Sequence, residues 1–222
     1  MKNSFESQKN KFLDFYNKVK EGHHLSQRQH NGHGLDHDVT VGQLVLAISP
    51  DNRTADKAWC AAMLHSTDRI VENGAVKDHM KECLQYLPVD FFTKEEVVEI
   101  LEAALRHGEL SQNDQSLTQQ VLMDADRLAN LMPAVIIRSG QFRPSIPAFE
   151  FEYLDGKPNP ASTYREPKSI LDDLRISITE YLPQFRVSMA IELAHRYARQ
   201  LEAHIQSVEE SNKELSLSNI NL

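Results

Sequence analysis

Apolar residues at Phe5, Phe12, Phe15, Tyr16 and Val19 recur at the three- and four-residue spacing that lines one side of a helix. With Ser4 as its cap, residues 5–20 are expected to form an amphipathic helix ending near Gly22. A polar segment holding His23, His24, His30 and His33 follows, and then Val39, Val41, Leu44, Val45, Leu46 and Ile48 mark a second helix that Pro50 stops. Residues 54–66 are apolar on nearly all sides, with Ala55, Ala58, Trp59, Ala61, Ala62, Met63 and Leu64, which predicts a buried helix with His65 at its end. A turn at Asn73-Gly74 leads into a short helix to about Tyr86, closed by Pro88. Thr93 with Glu96, and Ser116 with Gln119, have the capping-box spacing and place helices at 97–106 and 117–131. Pro133 either breaks the second of these or opens another.

Between residues 139 and 167 the pattern changes to five prolines, two glycines and five aromatics without sustained periodicity, which predicts a long ordered loop or lid. Two helices follow, roughly 168–182 and 184–210, separated by Pro183; Ile170, Leu171, Leu174, Ile178 and Leu182 give the first its apolar stripe. The tail is polar, and 212–222 is expected to fray. No succession of strand-like alternation occurs, so the expected class is all-α, a single domain over 1–222 with two helices closing it.

Composition narrows the function. At 222 residues the chain can bury a core without staples, and its two cysteines, Cys60 and Cys83, make neither a disulfide framework nor a Cys-x-x-Cys pair. A reducing, cytoplasmic setting is the expectation. The first twenty residues are charged throughout and no stretch of about 18 apolar residues occurs, so neither a signal peptide nor a membrane span is expected. A net charge of -8 is poorly suited to a nucleic-acid backbone, whereas a small anionic substrate held by a metal and a few arginines is compatible.

Three clusters carry candidate chemistry. His33 and His37 are four apart, which on a helix puts both rings on one side, although a solvated histidine-rich loop is the plainer alternative. His65 ends an apolar helix and must find a partner or forfeit solvation worth roughly 1 to 3 kcal/mol. Asp124 and Asp126 flank an alanine in the core-like run Val121, Leu122, Leu128, Leu131, so at most one of them need face the interior.

In order and in flanking residues these clusters resemble the HD-domain superfamily of metal-dependent phosphohydrolases: His37 heads DVTVGQLVLA, His65 ends AWCAAMLH, and Asp126 lies in DADRLANL. His33, four residues before His37, and His107, ending the helix before the aspartate segment, extend the resemblance to a branch of small bacterial members that also close with two long helices. The resemblance implies an HD-like helical bundle with His37, His65 and Asp126 as ligands of a divalent ion, whether manganese, magnesium, iron, nickel, cobalt or zinc. It implies hydrolysis of a small phosphorylated metabolite or nucleotide by metal-activated water. His33 and His107 would contact phosphate or shuttle protons, and Arg127, Arg138 or Arg165 would neutralise phosphate charge. The family's aspartate directly after the second histidine is Ser66 here. Asp68 is the candidate to replace it as ligand and catalytic group, since positions 65 and 68 lie on nearby sides of a helical turn; equally, the helix ends at His65 and Asp68 folds back. The alternative function is a catalytically degenerate HD-fold protein that binds a metabolite or partner without hydrolysis. The long last helix offers a surface for a homodimer.

Overall fold

The computed structural model of the protein describes residues 4–26, 28, 32–112 and 114–218; His30 and the last four residues of the tail lie outside these ranges. The described residues are all-helical, without a strand, and none of their helices is long and apolar enough to cross a membrane. Their contacts group into two compact units, Met1–Ala129 with Phe185–Ala190, and Asn130–Gln184 with Ile191–Leu222.

The first unit contains α1 (Phe5–Lys11), α2 (Leu13–Leu25), α3 (Leu35–Ile48), α4 (Asn52–Leu64), the single turn α5 (Thr67–Ile70), α6 (Val76–Leu84), α7 (Lys94–Leu105) and α8 (Leu117–Ala129). The helix expected over 5–20 is two helices, because Phe12 leaves the helical region (φ -120°, ψ 42°) and turns its ring inward. There the ring is fully buried and stacks on Trp59 at 5.9 Å and on Phe92 at 5.6 Å between centroids. The second of the two helices runs past Gly22 to Leu25 and so takes in His23 and His24, which the sequence pattern assigns to a loop.

The core is built where α3 and α4 pack on each other and on α8, with α7 against α4 and α8. Gly42 lets α3 approach this closely: a Cβ there would meet Met63 Cε at 2.8 Å and Trp59 Nε1 at 3.1 Å. Asp56 is buried on α4 and accepts from Gln8 Nε2 at 2.7 Å and Lys11 Nζ at 2.6 Å, which ties α1 to the core helix. The capping box of α7 forms as expected, Thr93 Oγ1 accepting from the Glu96 amide and Glu96 from the Thr93 amide. The second one forms only in half. Ser116 accepts from the Gln119 amide, but the Gln119 side chain donates to the Arg106 carbonyl instead of reaching back.

The second unit contains α9 (Val135–Phe142), α10 (Ile170–Tyr181) and, from Ile191 onward, α11 (Ser188–Ser218). The start of α9 resolves the two readings of Pro133 in favour of a new helix. It also shortens the expected loop, which begins after Phe142 rather than at residue 139. That loop is pinned by the buried Asp172, which accepts from the Asn159 amide and the Ser162 hydroxyl. Arg175 donates to the carbonyls of Tyr153 and Lys157 as well as to Asp172 and Glu209, so the segment's backbone is fixed by α10 despite its lack of periodicity.

Candidate metal centre

The centre is assembled in the first unit from one end each of α3, α4 and α8. Gly34 caps α3 in an extended conformation, and the His37 amide donates to its carbonyl at 2.9 Å, which places His37 and Asp38 in the first turn, both buried. His65 caps the other end of α4; Ser66 departs from helical geometry (φ -89°, ψ 14°) and α5 restarts at Thr67. Asp126 lies in the last part of α8.

His37 Nε2, His65 Nε2 and an Asp126 oxygen converge. His37 Nε2 is 3.1 Å from Asp126 Oδ1 and 3.2 Å from His65 Nε2, and His65 Nε2 is 3.9 Å from Asp126 Oδ1. The tautomer of His65 follows from its surroundings: Nδ1 lies 2.6 Å from the Ala62 carbonyl oxygen, which can only accept, so Nδ1 carries the proton and Nε2 presents a lone pair. Ligand bonds of about 2.1 Å meeting at 90 to 110° separate the donor atoms by about 3.0 to 3.4 Å. Two of the three separations fall in that range and the third is wider, so the group His37, His65, Asp126 fits a divalent ion.

Electrostatics favours the ligand-ready forms. Burial lowers the His65 pKa against the opposing pull of Asp38 and Asp126, which keeps the ring neutral. Burial alone would raise the Asp126 carboxyl, but the hydrogen bond from His37 and the fields of His37, His65 and His107 hold it well below the usual carboxylate range.

Two further histidines flank the centre. The ring centroids of His33 and His37 are 5.0 Å apart, those of His37 and His65 5.1 Å, and those of His65 and His107 5.1 Å, so four imidazoles form a row. His107 repeats the device of His65: it stands just past the end of a helix and its Nδ1 donates to the carbonyl three residues back, Ala104, at 2.7 Å.

The alternative left open between the two aspartates is settled by their partners. Asp124 faces away from the histidines, is fully buried, and accepts the amides of Arg186 at 2.9 Å and Val187 at 2.7 Å on one oxygen. Burial pushes its carboxyl pKa up, against those amides and Arg127. Arg127 is buried too, 3.6 Å from Asp124 and donating to Ser111 Oγ and the Glu109 carbonyl, which commits it to structure rather than to a ligand. Arg138, half-buried and donating to Asn130, and Arg165, exposed and with its carbonyl accepting from Arg143, both belong to the second unit. Asp68 is outside the group of converging ligand atoms. Its carboxylate is about half exposed beside Arg69, because α4 ends at Leu64 and the i, i+3 relation to His65 is never formed.

Two residues of the site escape the sequence pattern. Asp38 is fully buried, its Oδ1 accepting from Ser66 Oγ at 2.6 Å and lying 3.4 Å from His65 Nδ1, while its Oδ2 meets His23 Nε2 at 2.9 Å. His23 is thus buried in α2 rather than solvated. A signal for both exists: Tyr16, Val19 and His23 continue one helical stripe, and Asp38 heads the stripe Val41, Val45, Ile48.

No family model and no curated protein matches the chain. Among solved structures, the chain is similar to the crystal structure of a Lactobacillus plantarum protein determined as a structural-genomics target, with a TM-score of 0.70 at 17% identity, covering 92% of this chain and 98% of that one. At that identity the likeness concerns the fold alone.

Proposed function

We propose that the protein is a divalent-metal-dependent phosphohydrolase acting on a small phosphorylated metabolite or nucleotide, an HD-domain-like enzyme in its ligand set. The observation that carries this reading is the convergence of His37 Nε2, His65 Nε2 and Asp126 Oδ1. Two imidazoles and one carboxylate suit a first-row transition ion better than magnesium. Such an ion supplies a water of lowered pKa and polarises a phosphoryl oxygen. The chain's own residues do the rest. The Ala62 carbonyl holds the His65 ring with its lone pair turned inward, and the low pKa of Asp126 keeps a full negative charge opposite it. His33 and His107, neighbours of the His37 and His65 rings, would meet phosphate oxygens or carry a proton in this reading; with His107 Nδ1 spent on Ala104, its Nε2 is the atom that would do so.

The second reading, binding without hydrolysis, is favoured by Ser66, since a neutral hydroxyl stands where the resembling family has a carboxylate. A panel of nucleotides and sugar phosphates with manganese, cobalt and nickel separates the two. Turnover lost in His65→Ala and in Asp126→Ala supports the enzyme; stoichiometric metal without turnover on the whole panel supports the binding protein.

A further inference from the structure

Position 66 does not stand alone. Its hydroxyl donates to a carboxylate, Asp38, that is fully buried and comes from a different helix. With that proton committed, the Ser66 oxygen keeps its lone pairs, and it lies 3.4 Å from His65 Nε2, the separation expected of two donor atoms sharing one ion at a tetrahedral angle. A fully buried carboxylate is costly unless it is compensated. Asp38 has three groups disposed about it: the Ser66 hydroxyl, His65 Nδ1 and His23 Nε2. Two of these three belong to, or directly follow, the metal-facing turn.

We propose that Ser66 and Asp38 act as one unit at the cation site. The Ser66 oxygen faces the cation beside His65, and the Asp38 carboxylate behind it holds the hydroxyl proton. The negative charge that position 66 lacks is thereby supplied from α3, one layer further out. Asp38 is in these terms a positioning residue, acting through Ser66 and His65. This inference rests on the metal reading above, and it removes the main objection to that reading, because the centre's carboxylate is transposed rather than lost. His23, on the far oxygen of Asp38, fixes the orientation in which Oδ1 meets Ser66.

The test is calorimetric titration of the metal-stripped full chain with Mn2+, for wild type, His65→Ala, Ser66→Ala, Asp38→Asn and the Ser66→Ala/Asp38→Asn pair. Each single change at 38 or 66 is expected to weaken binding about 10- to 100-fold, the range for partners one layer out from a metal. The double variant is expected to be no more than about threefold weaker than the worse single one, as for groups acting as a unit. Singles that bind like wild type, or losses that multiply in the double, overturn the inference. The transposed variant, Asp38→Ser/Ser66→Asp, is expected to regain most of the affinity that Asp38→Ser loses, which a merely structural role for Asp38 would not produce. Should the Asp38 variants fail to fold by circular dichroism, Ser66→Ala and Ser66→Asp carry the test: weaker and restored-or-stronger binding respectively support it, equal binding in both overturns it. Wild type that binds no Mn2+ overturns the metal reading as well; wild type that binds through His65, with the variants at 38 and 66 unchanged, overturns only the transposition.

Discussion

The two Nε2 atoms of His37 and His65 face each other across 3.2 Å, one carrying a lone pair because its ring proton is held by Ala62 on the opposite side. Both atoms also lie near Asp126 Oδ1, His37 Nε2 at 3.1 Å and His65 Nε2 at 3.9 Å. His37→Ala and His65→Ala are therefore each expected to abolish Mn2+ binding. Calorimetric titration of the two variants checks this, and binding that survives in either one would remove that ring from the ligand group.

Stability without metal should fall on acidification in two stages. His65 has a lowered pKa in the folded chain, so the unfolded chain binds the proton first; the His65 contribution is intact above about pH 6.5 and is lost as pH falls from there toward the folded value. Asp126, also lowered, loses its contribution only below about pH 4. Urea denaturation at pH 7.5 and 5.5 is expected to show a drop in wild type that is smaller in His65→Gln.

Asp124 and Asp126 are two residues apart, and their substitutions should separate cleanly. Asp124→Ala leaves the Arg186 and Val187 amides without their acceptor and is expected to cost about 2 to 4 kcal/mol of stability while metal stoichiometry is unchanged. Asp126→Asn should abolish metal binding, and it also gives up the stability that the ionised carboxylate contributes at neutral pH, so metal stoichiometry is what tells the two variants apart. Denaturant midpoints and metal analysis on the same samples check both.

Asp68→Ala is expected to leave metal affinity within about twofold of wild type, since its half-exposed carboxylate sits beside Arg69 and outside the ligand group. A loss of binding in this variant would return the fourth ligand to α5.

Gly42→Ala should destabilise by about 1 to 2 kcal/mol, the overlap with Met63 and Trp59 outweighing the roughly 1 kcal/mol that alanine contributes to a helix. Gly74, where a Cβ would meet nothing within 4 Å, is the control, and Gly74→Ala is expected to shift the midpoint little.

Much of this was legible in the sequence because it depends on local rules. The buried helix ending at His65, the Thr93 cap and the helical class follow from periodicity and cap chemistry. The pairing of His37, His65 and Asp126 was readable only through resemblance, since the three lie on different helices. What escaped reading depends on partners far along the chain. The break at Phe12 is caused by aromatic rings at positions 59 and 92, and the burial of His23 is caused by Asp38. The stop of α4 at Leu64, with His65 as its cap, falls two residues short of the expected 66 and has a local cause, the Thr67 hydroxyl donating to the Leu64 carbonyl at 2.6 Å.

The grip of Asp124 on the amides of Arg186 and Val187 makes the first unit discontinuous in sequence. A ribosome that has released residues 1–129 has delivered every proposed metal ligand but not the strap that satisfies the carboxylate two residues from Asp126. Completion of the first unit must then wait for nearly sixty more residues, and the piece cut at Ala129 should be an incomplete folding unit that recovers when a peptide spanning 185–190 is returned to it.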